Sequence, residues 1–348
     1  MKSKKVFIIT VFIGFIVISS GISVYGIKSQ KSDLFTIVNV DDYYFIQITD
    51  THVTHKLYDK YEIYKQNFIR VLKEINSFNE KPAFVVLTGD CVEWGGSDKT
   101  GENNYQALVS CLYKKNGQLY VDSDFCIPLY STPGNHDYVP EKSLINYYNY
   151  MNRNNKYIRE IGPASFFFMD SGSNYYLEPW DWTRVLGAGL YNADIEWLEE
   201  KLEKSEHLPL KIILMHHPAV NERDSFGVMF DVIARNSEEF INICDNYDID
   251  LVLAGHTHDS IVYDRNENTY DNYPLLCSEH PTLFVQSDDC KQHVNYRNIT
   301  VTSDDIIIHD SVRINFEPKN IRRIQSKYSG IYNLYIKTIF LLDKIKDI

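Results

Sequence analysis

The 348 residues are enough for one large α/β domain with additions or for two modest domains, and 44% hydrophobic with 24% charged residues is ordinary globular usage. That balance excludes a largely disordered chain, and neither an internal repeat nor a low-complexity tract is present. A formal net charge of −12 disfavours a nucleic-acid partner, because neutralising a phosphate backbone takes clustered Lys and Arg; metal ions in a site would add positive charge that this count omits.

In chain order, Lys2, Lys4 and Lys5 precede an uncharged stretch from Val6 to Ile27, most apolar from Val6 to Ile18. Residues 1–27 are therefore expected to be a signal peptide or a membrane anchor, with everything after them extracytoplasmic, whether secreted or anchored. Residues 28–40 read as a polar linker and 41–312 as the main domain. Within it, Tyr43 to Thr49, Phe84 to Thr88, Ile127 to Ser131, Ile212 to Met215 and Leu251 to Ala254 are short apolar runs expected to be buried strands, and Phe166 to Met169 is another. Tyr61 to Phe78 has helical spacing and would cross between the first two. Asn192 is the expected N-cap of a second helix presenting Ile195, Leu198 and Leu202. After Pro274 the pattern turns to strands (Thr282 to Val285, Val294 to Val301, Ile306 to Ile308), expected to form a closing sheet. Residues 313–348 are expected to be a helical tail on the domain surface. Trp94 to Asp124 and Tyr138 to Leu186 show no decodable pattern. Of the six Cys, Cys111 with Cys126 and Cys277 with Cys290 are the disulfides to test first in an oxidising compartment; none falls in a CxxC pair, which disfavours a thiolate zinc site.

Each of the five strands first named ends at a polar cluster: Asp50-Thr51-His52, Gly89-Asp90, Gly134-Asn135-His136-Asp137, His216-His217-Pro218 and Gly255-His256-Thr257-His258. Ligands of open α/β sheets bind beyond the carboxyl ends of strands, so these clusters are expected to meet. Taken singly, any of these Asp or His residues could be a turn or cap residue; it is the repetition after successive strands that points to a site. Carboxylates, imidazoles and an Asn carbonyl oxygen suit divalent first-row metals. A shared carboxylate such as Asp90 could bridge two ions roughly 3.5 to 4 Å apart, which clamp attacking and leaving oxygens at phosphorus.

At these blocks (DxH, GD, GNHD, a His before Pro, GHxH) the sequence resembles the calcineurin-like metallophosphoesterase superfamily. The resemblance implies an αββα sandwich of two mixed β-sheets flanked by helices. It implies one metal on Asp50, His52, Asp90 and His258 and a second on Asp90, Asn135, His216 and His256. The ions would be Mn, Fe or Zn. Hydrolysis of a phosphomonoester or phosphodiester would use a metal-bridging hydroxide, with His136 as general acid and Asp137 orienting it. The ligand could also be His217 in place of His216, and Glu93 stands where relatives carry an Asp. Arg153 and Arg159 are further residues that could reach substrate. The substrate would be a phosphorylated small molecule or lipid, with membrane contact through the N-terminal segment. A catalytically inactive, membrane-tethered metal-binding protein is the alternative; the complete ligand set and His136 weigh against it.

Overall fold

The computed structural model describes residues 42–55, 59–112, 127–139, 143–172, 188–221 and 232–314. The expected N-terminal segment, the linker, Cys126 and the tail beyond residue 314 lie outside the described residues, as do residues 173–187.

The element order is β1 (Tyr43–Ile48), α1 (Asp59–Ser77), β2 (Val85–Thr88), α2 (Lys99–Leu112), β3 (Leu129–Thr132), the short α3 (Asn135–Tyr138), α4 (Ile145–Tyr150), β4 (Tyr157–Ile161) and β5 (Ala164–Phe168). There follow α5 (Asn192–Lys204), β6 (Leu210–Leu214), α6 (Ser237–Asn246), β7 (Leu251–Ala254), β8 (Ile261–Tyr263), β9 (Leu275–Leu276), β10 (Leu283–Gln286), β11 (Val294–Val301) and β12 (Ile306–Ile314). They build two mixed six-stranded sheets, β3-β2-β1-β11-β12-β9 and β4-β5-β6-β7-β10-β8. In the first, β3, β2 and β1 run parallel; in the second, β5, β6, β7 and β10 do.

Alternation along each strand explains the layering. Tyr43 and Phe45 of β1, with Phe84 and Val86 beside β2, face the second sheet, where they meet Phe166, Phe168, Ile212, Leu214, Leu251 and Leu253. Phe45 stacks on Phe84 at 4.8 Å between ring centroids, and Phe166 meets both edge-on. The intervening residues, Ile46, Ile48, Val85 and Leu87, face outward under Phe68, Val71, Leu72 and Ile75 of α1 and Tyr105, Leu108 and Cys111 of α2. On the far side, Phe167, Ile213 and Met215 are covered by Ile195, Leu198 and Leu202 of α5 and Phe240, Ile243 and Cys244 of α6. The result is the expected four-layer αββα sandwich.

Several expectations are corrected. The late strands do not make a sheet of their own: β10 joins the second sheet beside β7, while β11 and β12 extend the first beside β1. Strand β12 runs two residues past the expected domain end. The N-cap of α5 is Tyr191, not Asn192, because the Asp194 carboxylate accepts the Tyr191 N–H at 2.9 Å. Cys277 and Cys290 are buried free thiols rather than a disulfide, and Cys111 donates its thiol to the Ala107 carbonyl. Among the described residues no helix is long and apolar enough to cross a membrane.

Candidate metal centre

The parallel strands of the two sheets deliver their C-terminal loops to one end of the sandwich. Beneath that end the inward-facing position of β1 changes from aromatic to amide. Gln47, fully buried, donates to the Ala254 carbonyl in the other sheet and to Thr88 Oγ1, both at 3.0 Å, and accepts from Ser287 Oγ at 2.8 Å. This polar floor links the sheets where the loops leave them.

The loop backbones are bent sharply. Among the described residues, the non-glycine positions with positive φ are Asp50, His52, Asp90, His256 and His258, together with Asn236, Asp248 and Glu267. Five of these eight are candidate ligands. Left-handed backbone is least costly for Asp, Asn and His, and each such residue still costs on the order of 1 kcal/mol, a strain that gathers at functional sites. Gly89, at φ +89°, sits against the His216 imidazole, and any Cβ there would collide with that ring. A Cβ at Gly255 would collide with Thr49 and the Asp50 carboxylate.

The side chains converge. Asp90 Oδ2 lies 3.4 Å from the Nε2 of both His52 and His216. Asp50 Oδ1 lies 3.2 Å from His258 Nε2 and 3.7 Å from His52 Nε2. Asn135 Oδ1 is 3.0 Å from His216 Nε2, and the His256 ring centroid is 5.1 Å from that of His216. Asp50, Asp90, His52 and His216 are essentially inaccessible, whereas the His258 side chain is 30% exposed and marks the open side. Three groups of donor atoms here, Asp50/His52/His258, Asp50/Asp90/His216 and His216/His217/His256, each lie within 4.8 Å of one another, spacing that a single cation can bridge. A fourth group, His52/Glu93/His136, adjoins them.

Backbone and carboxylate partners fix which nitrogen faces inward. Thr88 O accepts from His216 Nδ1 at 2.8 Å and Glu93 Oε2 accepts from His52 Nδ1 at 2.8 Å, so each ring turns its Nε2 to the centre. Glu93 thus holds the His52 ring from behind. Burial opposes ionisation of Asp90, yet the imidazoles of His216, His136 and His52 outweigh it and hold the carboxyl well below its usual range. Burial likewise opposes charge on His52 and His216, but the surrounding carboxylates push both up to about 9. Concentrated negative charge of this kind is what a cation site requires.

Of the adjacent pair, His216 is the ring turned to Asp90 and Asn135. His217 instead pairs through Nδ1 with Ser171 Oγ at 2.7 Å, and its Nε2 is buried without a hydrogen-bond partner, 4.4 Å separating its ring centroid from that of His256. The expectation for Asp137 is corrected. Its buried carboxylate accepts the N–H groups of Gly134 (2.8 Å), Cys91 and Val92 (3.3 Å each) and the Tyr105 hydroxyl (2.7 Å), so it clasps the two loops. The His136 ring is set by the Glu93 carbonyl, which accepts from Nδ1 at 2.8 Å, and the His136 backbone N–H donates to Asp90 Oδ1 at 2.8 Å. Arg159 does not reach the cluster either; its guanidinium lies over Tyr130 and Tyr157.

Sequence reasoning missed Lys291 and Asp289. Lys291 Nζ lies 3.1 Å from His258 Nε2 and 3.3 Å from His52 Nε2, and Asp289 Oδ2 is 3.8 Å from His258 Nδ1. The signal was present: β10, a further parallel strand, also exits into a polar run, Ser287-Asp288-Asp289-Cys290-Lys291.

Two mixed sheets between helices, with carboxylates and imidazoles gathered at their loop end, define a metallophosphoesterase-like fold and site. The profile described as calcineurin-like phosphoesterase matches residues 43–260, and the chain belongs to that family. It is 29% identical over 153 residues to purple acid phosphatase 23 of Arabidopsis thaliana, an alignment covering 43% of this chain and 31% of that protein. The chain thus matches under a third of the plant enzyme's length. It is 23% identical over 239 residues to a Coxiella burnetii protein named as a probable cyclic nucleotide phosphodiesterase, covering 66% of this chain and 82% of the other. Among solved structures, purple acid phosphatase PPD1 of yellow lupin (Lupinus luteus) superposes with a TM-score of 0.52 at 12% identity, over 81% of this chain and 55% of that one, a likeness of fold. By their names these relatives are a phosphatase and a probable phosphodiesterase.

Proposed function

We propose that this protein hydrolyses a phosphomonoester or phosphodiester in a site that holds two divalent cations. The observation that carries the reading is the placement of the Asp90 carboxylate, 3.4 Å from the inward nitrogens of His52 and His216, between two sets of donors. Asp50, His52, Asp90 and His258 would hold one ion and Asp90, Asn135, His216 and His256 the other. The donor set fits such ions: two carboxylates held ionised, the imidazoles of His52 and His216 with the other nitrogen tied off, an amide oxygen, and no thiolate in any of the groups. Mn, Fe and Zn all accept it. When bound, the ions supply Lewis acidity and a water acidified to near neutral pH.

The chain's own residues do the rest. Asp50 and Asp90 keep negative charge where the cations are needed, and Glu93 and the Thr88 carbonyl fix the tautomers of His52 and His216. His136 is the group to protonate the leaving oxygen. The Glu93 carbonyl takes its Nδ1–H, which leaves Nε2 as the nitrogen to move a proton. The apolar segment behind Lys2, Lys4 and Lys5 supports action outside the cytoplasm, secreted or anchored.

The test is an assay of the purified protein on p-nitrophenyl phosphate and bis(p-nitrophenyl) phosphate, with Mn and with a chelator. Turnover is expected with Mn and none with the chelator. His136→Ala should retain the metals while turnover falls by about 10²- to 10⁴-fold, the usual size of a general-acid contribution. Normal hydrolysis by Asp90→Ala would exclude this site.

A further inference from the structure

Lys291 lies outside all the sequence blocks that carry the family resemblance, yet its ammonium is among the inward nitrogens of the site. It is 3.1 Å from His258 Nε2 and 3.3 Å from His52 Nε2, the two imidazole nitrogens assigned above to one cation. An ammonium and a divalent ion cannot share those lone pairs, and their charges repel at such range. With an ion in place the lysine head must stand further out. Its backbone, however, is pinned: Asn67 Nδ2 donates to the Lys291 carbonyl at 2.9 Å, and the preceding Cys290 N–H donates to Thr49 O at 3.0 Å. The head therefore stays beside the cluster, on the side opened by the 30% exposed His258. The cleft of about 290 Å³ next to His258 is bordered by Asp259, Asp288 and Asp289 and by Arg313, whose guanidinium is paired with Asp288 at 3.3 Å.

We propose that Lys291 is a substrate-binding residue that contacts a non-bridging phosphate oxygen, and that it favours the terminal phosphate of a monoester over a diester. The inference rests on the phosphoesterase reading above. A monoester carries about −1.5 to −2 charges near neutral pH and a diester one, so a positioned ammonium gains more from the former. It also offers an oxygen with no second ester group to crowd the lysine.

The experiment compares the full-length protein with Lys291→Met and Lys291→Arg, after thermal melts show all three folded. Manganese stoichiometry is measured on each, then binding of inorganic phosphate to the Mn-loaded proteins by calorimetry, then kcat/KM on p-nitrophenyl phosphate and bis(p-nitrophenyl) phosphate. Lys291→Met should bind manganese in the wild-type ratio and phosphate about tenfold or more weakly, as expected for losing a charge-assisted hydrogen bond. Its monoester kcat/KM should fall by a similar factor and the diester value by less, with Lys291→Arg restoring most of both. Unchanged phosphate binding in Lys291→Met overturns the proposal, as do equal losses on the two esters. Tighter manganese binding with unaltered phosphate affinity would make the lysine a mere competitor for the metal. If the wild type turns over neither ester, the phosphoesterase reading fails; the phosphate titration still decides whether Lys291 binds the anion.

Discussion

The two halves of the cluster are built differently. Around His216, the supports are backbone and neutral groups: the Thr88 carbonyl, the Asn135 amide oxygen and the wholly buried His217 alongside. Around His52 and His258 the supports are charged side chains, Glu93, Asp289 and Lys291, and His258 is partly open to solvent. The buried half is fixed by the fold itself, whereas the open half is set by groups that can be substituted without disturbing a strand. The first half should therefore respond to mutation through stability, and the second through affinity.

The sharpest break of this contrast is Asp90, which belongs to both halves. Asp90→Ala should abolish metal retention on both sides and lower kcat/KM by about 10³-fold or more, since several kcal/mol of charge stabilisation go with the ions. Metal analysis of the purified variant checks it, and retention of one full equivalent would count against a shared ligand. Glu93→Gln should leave the melting temperature nearly unchanged yet weaken one of the two metal equivalents by about 10- to 100-fold, the usual effect of removing a carboxylate behind a ligating imidazole. Equal weakening of both equivalents would deny the division into halves. His216→Ala should instead cost stability in the metal-free protein, about 1–3 kcal/mol, because a buried carbonyl and amide lose their partner; chemical denaturation in chelator measures this. His258→Ala, on the open side, should cost less than 1 kcal/mol in the same experiment. Gly255→Ala tests the junction: its Cβ would push on Thr49 and Asp50, at about 1–3 kcal/mol.

Much of this was legible in the sequence because strand alternation and strand-terminal polar clusters are local patterns. The runs at Tyr43, Phe84, Ile212 and Leu251 and the helix over α1 come out within a few residues of their observed positions. Helix α2 was not legible, because Gly101 and Asn104 interrupt its buried face and Asn104 is used as a buried polar partner of Thr54 and Trp94. The role of Asp137 was misread because proximity in sequence to His136 says nothing about direction: at the third position of a short helix its carboxylate turns back to the Gly134 N–H. Lys291 was missed because it is a single residue far along the chain from any motif, brought to the site by the pairing of β10 with β7 and by the backbone contacts of Cys290 and Lys291 with Thr49 and Asn67.

Gln47 gives the sandwich a ruler. A single amide reaches across the apolar interior to grip Ala254 of one sheet while Thr88 and Ser287 hold its other contacts. Asp50 follows it by three residues on the same chain, and His256 follows Ala254 by two. Any sliding of one sheet over the other is thus resisted at the level just below the donors, so the spacing between the donors carried by the two sheets is gauged by the length of one side chain as well as by the loops.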